Sequence, residues 1–321
     1  MAFRGRACDD PAMAWLMILA GLGVLGIGAE ALVRGAAWIA EALGVRPLIV
    51  GLTVVAIGTS APELVVSVIA ANKGETGLVI GNVFGSNTAN LALILGLTAF
   101  VRPIDASDSK MRFEILWLLA ASLLTFAAFL GDEFSRQLGV AMTTMIVVFL
   151  IWVVLRERPG RPKETSQDKT VISGIAHLAM TAAGGLGLYY GGQWLVDGAI
   201  TVARDLGMSP PVIGATIVAI GTSLPELAAS IVAARRGHPE MAVGNIVGSN
   251  VFNILLVLGV TATISPIPVG WAEHGIRMLV PMVLTVYVAF LLLRNMRIMK
   301  PAGMILLISY VWYIIWEILL A

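Results

Sequence analysis

Charge is scarce in this sequence. Asp, Glu, Lys and Arg make up 13% of its 321 residues, about half the share usual in a soluble domain. Histidine occurs three times and cysteine once, at Cys8. A single thiol excludes an intrachain disulfide framework. A formal net charge of +1 without a long basic stripe excludes a nucleic-acid partner. What the chain has instead is apolar: 58% of residues are hydrophobic and the mean hydropathy is +0.89. A soluble fold of this length cannot hide that much apolar surface. The chain reads as an all-α polytopic membrane protein whose surroundings are the lipid bilayer, with no obligate protein partner implied.

Ten apolar stretches of spanning length recur, near 13–33, 47–71, 78–100, 113–131, 136–155, 171–195, 210–234, 241–263, 275–293 and 303–320. The N-terminal stretch resembles a signal peptide in its basic start. It runs on into a full span without a small-x-small cleavage site, so it reads as the first helix. The polar, proline-bearing "RERPGRPKETSQDK" (156–169) divides the chain into 1–155, a linker at 156–170, and 171–321. Assigning alternate connections to opposite sides places 15 of the 21 Lys and Arg residues with that linker. The positive-inside rule then makes the linker cytoplasmic and both termini extracytoplasmic, in a plasma (inner) membrane.

An internal repeat organises these spans. Residues 43–104 and 206–267 align without a gap at an offset of 163, with 31 of 62 positions identical. The identities include Gly, Thr, Ser, Pro, Glu and Asn, so shared hydrophobicity does not explain them. Five spans per half is an odd number, and the second half must enter the membrane upside down. The result is ten transmembrane helices arranged as two inverted five-helix repeats, an architecture of secondary transporters.

The repeated segments carry groups that a membrane interior penalises. "AIGTSAPEL" (56–64) and "AIGTSLPEL" (219–227) each place a glutamate and a proline inside a span, where a lone carboxylate costs several kcal/mol. Thr59 and Ser60 share a helical face with Glu63, as Thr222 and Ser223 do with Glu226. Pro62 and Pro225 each deprive a carbonyl of its partner. A helix broken there can aim carbonyl oxygens such as those of Ala56 and Ala219 into the same space. The following spans add Ser86 with Asn90, and Ser249 with Asn253, each pair one turn apart. Carboxylate, hydroxyl, amide and carbonyl oxygens suit a hard cation, Ca²⁺ above all and Na⁺ as a weaker fit. The glycine-rich "AGLGVLGIGAEALVRG" and "AAGGLGLYYGGQWLVDG" fit two smooth helices able to slide past a neighbour, or equally glycines used for packing.

"GTSAPEL", "GTSLPEL", "GNVFGSN" and "GNIVGSN" resemble the two repeats of the sodium/calcium exchanger family, across essentially the whole chain. The resemblance implies an antiporter of Ca²⁺ against Na⁺ that works by alternating access, its first and sixth helices sliding over a rigid core. It implies four central cation sites built from Thr59, Ser60, Glu63, Ser86, Asn90, Thr222, Ser223, Glu226, Ser249 and Asn253, with the carbonyls of Ala56 and Ala219. It further implies three Na⁺ per Ca²⁺, no cofactor, and a minimal prokaryotic type without a large cytoplasmic insertion. Some relatives carry Asp where this chain has Asn253.

Two buried glutamates could instead exchange protons, which leaves an H⁺/Ca²⁺ antiporter as the alternative. An intramembrane hydrolase using Ser60 or Ser223 would want an adjacent base. His177, His238 and His274 fall at span ends or in connections, so the chain does not read as an enzyme. A channel is disfavoured because a deep, doubly anionic site holds ions too tightly for fast conduction.

Overall fold

The computed structural model describes residues 11–104, 111–129, 131, 133–157, 171–208, 217, 219–294 and 297–320. The expected linker therefore lies outside the described residues from 158 onward, as does about the first third of the seventh span. The helices are α1 (Pro11–Leu43), α2 (Pro47–Asn72), α3 (Thr76–Val101), α4 (Arg112–Phe129) and α5 (Arg136–Arg156). The second half has α6 (Val171–Asp205), α7 (Leu224–Arg235), α8 (Pro239–Ile264), α9 (Trp271–Leu293) and α10 (Lys300–Leu320). Among the described residues nine helices are long and apolar enough to cross a membrane, and α7 is the tenth member of the series. Among the described residues, strands β1 (Glu133–Phe134) and β2 (Ile267–Pro268) pair antiparallel and form a two-stranded sheet beside the helices.

The connections gather at two ends, as alternation requires. Arg46, before α2, binds Glu157, after α5, through both guanidinium and backbone nitrogens. Ile104 bridges Ile298, and Arg236 pairs with Glu30. At the opposite end β1 joins the α4–α5 connection to the α8–α9 connection. Helices α3 and α8 are the most enclosed, and Val79, Ile80, Val83, Leu91 and Ile94 pack with Ile246, Val247, Val251, Leu255 and Leu258 in one core.

Helices α1 and α6 continue well past the ends expected from hydropathy, to Leu43 and Asp205. At 33 and 35 residues each is about 50 Å long, against about 30 Å of hydrocarbon. They cross obliquely or project beyond the apolar layer. Glu30, Arg34 and Glu41 in α1, and Asp197 and Arg204 in α6, lower the hydropathy of these ends without interrupting the helix. The two helices lie antiparallel along a glycine seam. A Cβ on Gly21 would sit 2.6 Å from the Leu195 backbone nitrogen, one on Gly28 2.7 Å from that of Leu188, and one on Gly191 2.5 Å from that of Leu25. The series Gly21, Gly28, Gly35 and its counterpart Gly184, Gly191, Gly198 repeat every seven residues, the period of a left-handed coiled coil. These glycines pack the two helices against each other, and the antiparallel pairing of repeat-related helices shows the inversion directly.

The halves also interlock. Gly244 and Gly248 of α8 receive the backbone of α2: added Cβ atoms would lie within 3.0 Å of Leu52 nitrogen and 2.8 Å of Leu52 oxygen respectively. Small residues thus bring a second-half helix against the first-half helix that carries Glu63.

Candidate cation site

Helix α2 reaches the motif without a gap. Its residues Gly51–Val55 form a π-helical turn, and α-helix resumes at Ala56 and runs to Asn72 with Pro62 inside it. The expected broken helix is therefore absent from this half; a widened turn precedes the motif instead. In the second half the same motif is interrupted. A single turn, Ala219–Gly221, is followed by turn residues Thr222 and Ser223, and α7 begins only at Leu224. Pro225 then stands in the first turn of a helix, where its missing N–H costs nothing.

The two glutamates are completely buried, and Thr59, Ser60, Ser86, Asn90, Ser223, Ser249 and Asn253 are buried with them. The Ser60 hydroxyl donates to Glu226 Oε1 at 3.0 Å, so a first-half hydroxyl one turn from Glu63 meets the second-half carboxylate. Ser86 and Thr222 approach to 3.5 Å across the same divide. Thr59 donates to Asn245 Oδ1 at 3.1 Å and lies 3.4 Å from the Ala56 carbonyl oxygen. These contacts form two groups, one of Ala56, Thr59, Ser60 and Glu226 linked through Asn245, and one of Ser86 with Thr222. Asn90 and Asn253 each lie within their π-helical turns, Ala89–Ile94 and Asn253–Leu258. Ala219 opens the short turn before Thr222.

Sequence reasoning passed over a second set of asparagines. Asn245 donates to the Glu226 carbonyl at 3.3 Å and to Ser230 at 3.0 Å. Asn82 does the same for the Glu63 carbonyl at 3.1 Å and Ser67 at 2.8 Å. Asn87 accepts from Asn253 Nδ2 at 3.1 Å. The signal was present, since Asn82 and Asn245, and Asn87 and Asn250, are identical pairs at the repeat offset.

Many of these oxygens have no protein partner: both of Glu63, Oε2 of Glu226, the hydroxyls of Ser223 and Ser249, and the amide oxygens of Asn90 and Asn253. Buried acceptors left in this state cost free energy unless a ligand or water satisfies them. The donor set is oxygen only and carries two formal negative charges. Among the described residues no cluster of three His, Cys, Asp or Glu could hold a metal ion, which sets this oxygen set apart from a site built to retain a transition metal. Its chemistry fits a hard cation that must also leave.

Known proteins resemble this chain along most of its length. The family model described as sodium/calcium exchanger protein matches residues 13–156 and again 176–319. A putative antiporter, CaxA, of Alkalimonas amylolytica is 37% identical over 317 residues, covering 94% of this chain and 97% of that protein. The sodium/calcium exchanger MaX1 of Methanosarcina acetivorans is 30% identical over 345 residues, covering 94% and 97%. Among solved structures, the sodium-calcium exchanger NCX_Mj soaked with 10 mM Na⁺ and zero Ca²⁺ superposes with a TM-score of 0.84 at 33% identity. That match covers 95% of this chain and 99% of the other.

Proposed function

The chain belongs to the sodium/calcium exchanger protein family, a family of membrane transporters, and we propose that it exchanges Na⁺ for Ca²⁺ at the buried oxygen cluster between Glu63 and Glu226. The observation that carries this reading is the pairing across the repeat. Two fully buried carboxylates from inverted halves share a region of unpartnered oxygens, linked by the Ser60–Glu226 bond. Together they neutralise one Ca²⁺. Hydroxyl, amide and carbonyl oxygens from both halves complete a shell of the size that Ca²⁺ and Na⁺ use. The ligands are Thr59, Ser60, Glu63, Ser86 and Asn90 with the Ala56 carbonyl, and Thr222, Ser223, Glu226, Ser249 and Asn253 with the Ala219 carbonyl.

Alternating access follows from the same geometry. The site lies where two inverted halves meet, so tilting one structure relative to the other opens it to one side at a time. The α1–α6 pair, held together by its glycine seam, suits a body that moves as a unit. The protein sits in the inner membrane with the 156–170 linker in the cytoplasm and both termini outside.

The test is ⁴⁵Ca²⁺ uptake by the purified protein in liposomes, driven by a Na⁺ gradient or by a pH gradient. Uptake that needs the Na⁺ gradient is expected. Uptake driven by the pH gradient without Na⁺ would replace Na⁺ by H⁺ as the coupling ion and leave the two glutamates as its carriers.

A further inference from the structure

Resting on the reading of Asn253 as a cation ligand, we propose that Asn87 is a positioning residue that holds the Asn253 amide with its oxygen toward the ion. A primary amide has an acceptor end and a donor end of nearly equal size. Only the oxygen can ligate a cation; the NH₂ group turned inward would present its positive hydrogens to it. Asn253 Nδ2 donates to Asn87 Oδ1 at 3.1 Å, while Asn253 Oδ1 is left without a protein partner. Both side chains are buried, at 0% and 2% exposure. The NH₂ end is thereby engaged and the oxygen is the free end.

The repeat supplies an internal control. The symmetry-related pair is Asn90 and Asn250. Asn250 Nδ2 donates instead to the Ile246 carbonyl at 2.7 Å, and both amide atoms of Asn90 lack a protein partner. Identical residues at identical positions are coupled in one half and uncoupled in the other. Asn90 has nothing to choose its rotamer, whereas Asn253 has Asn87. A carboxylate at 253 would need no such help, because either of its rotamers presents an oxygen.

The experiment measures the Ca²⁺ KM and maximal rate in liposomes, with equilibrium Ca²⁺ binding in detergent as the second readout. It compares Asn87→Ala, Asn87→Asp, Asn250→Ala, Asn253→Ala, Asn253→Asp and the double variant Asn87→Ala/Asn253→Asp. Asn87→Ala is expected to raise the Ca²⁺ KM and dissociation constant about tenfold with little change in maximal rate. In the Asn253→Asp background the same change should move them less than about twofold. Asn87→Asp, which can only accept, should bind Ca²⁺ at least as tightly as the unaltered protein, and Asn250→Ala should stay within about twofold of it. Equal losses in both backgrounds would make Asn87 a packing residue and overturn the proposal. Loss in Asn87→Asp matching that in Asn87→Ala would do the same. Should Asn87→Ala not survive extraction, Asn87→Leu replaces it in both backgrounds, and failure to fold in both also counts as a packing role. If Asn253→Ala leaves Ca²⁺ binding unchanged, the ligand reading fails. If Asn253→Ala weakens binding and Asn87→Ala does not, only the orientation proposal fails.

Discussion

The two halves spell the central motif almost identically and hold it differently. In the first half Thr59 and Ser60 stand on an unbroken helix, and both hydroxyls donate across to the second half, to Asn245 and Glu226. In the second half Thr222 and Ser223 occupy a turn between two helical pieces. Among the described residues the Thr222 hydroxyl approaches Ser86, at 3.5 Å, and the Ser223 hydroxyl has no partner. A two-fold symmetric structure would pair Ser223 with Glu63 as Ser60 pairs with Glu226. Symmetry of sequence therefore coexists with asymmetry of state, which is what a carrier built from inverted repeats needs. On the alternating-access reading proposed above, exchanging the conformations of the halves would exchange the side to which the site opens.

The charges are where the halves should be most alike. Glu63→Gln and Glu226→Gln each leave one carboxylate against a dication in a buried site, the costly condition of an undercompensated buried charge. Each should lower Ca²⁺ exchange by at least about a hundredfold while the protein still extracts as a monodisperse species. A variant of either glutamate that keeps more than a tenth of the ⁴⁵Ca²⁺ flux would remove that residue from the site. A large loss in only one of them would break the equivalence of the halves at its foundation.

The asparagines behind the site should separate the halves. Asn245 joins Thr59, the Glu226 carbonyl and Ser230, and so ties both halves together. Asn82 joins the Glu63 carbonyl and Ser67 within one half. At about 1 kcal/mol for each buried bond lost, Asn245→Leu, which loses one bond more, should reduce Ca²⁺ transport about fivefold further than Asn82→Leu does. Side-by-side initial rates at matched protein density check the order. The reverse order would mean that the bond to Thr59 contributes nothing.

How much of this was legible beforehand differs along the chain for physical reasons. Glu63, Glu226 and their neighbours were legible because a membrane span admits so few polar groups that each repeated one must have a use. The role of Asn245 was not, because an asparagine bonded to a backbone carbonyl and one facing an ion look alike in sequence. The extent of α1 was hidden by Glu30, Arg34 and Glu41, which depress hydropathy but pair or reach the interface, as Glu30 does with Arg236. The continuity of α2 through Pro62 was also hidden. Proline usually breaks a helix, and here α-helix runs from Ala56 to Asn72 with Pro62 inside it.

The glycines of α1 offer a smaller effect, one that changes sign along a single helix. Gly23 faces outward with nothing near a built Cβ, while Gly28 meets the backbone of α6. Gly23→Ala should be neutral or stabilise by up to about 1 kcal/mol through helix propensity. Gly28→Ala should destabilise by about 1–3 kcal/mol, as overpacking does. Thermal unfolding in detergent reads both. The same shift from both substitutions would mean that the seam between α1 and α6 is not close-packed, and with it the contrast between the paired helices and the rest of the bundle would go.

The smallest effect expected is that of potassium, and it again turns on comparing the halves. Asn90 and Asn253 occupy equivalent positions, and both are neutral amides. The formal charge of the site is then that of Glu63 and Glu226 alone, which one Ca²⁺ cancels. A K⁺ bound beside that Ca²⁺ would leave an unbalanced positive charge in a buried, low-dielectric region, where charge repulsion is only weakly screened. A carboxylate in place of either amide would supply the missing balance. We therefore expect Na⁺-driven Ca²⁺ exchange to change less than about twofold when K⁺ is replaced by choline on both sides of the liposome membrane. Asn253→Asp should be the variant in which a K⁺ dependence emerges. An absolute K⁺ requirement in the unaltered protein would show that a further negative charge enters the site, and the count of two carboxylates would have to be revised.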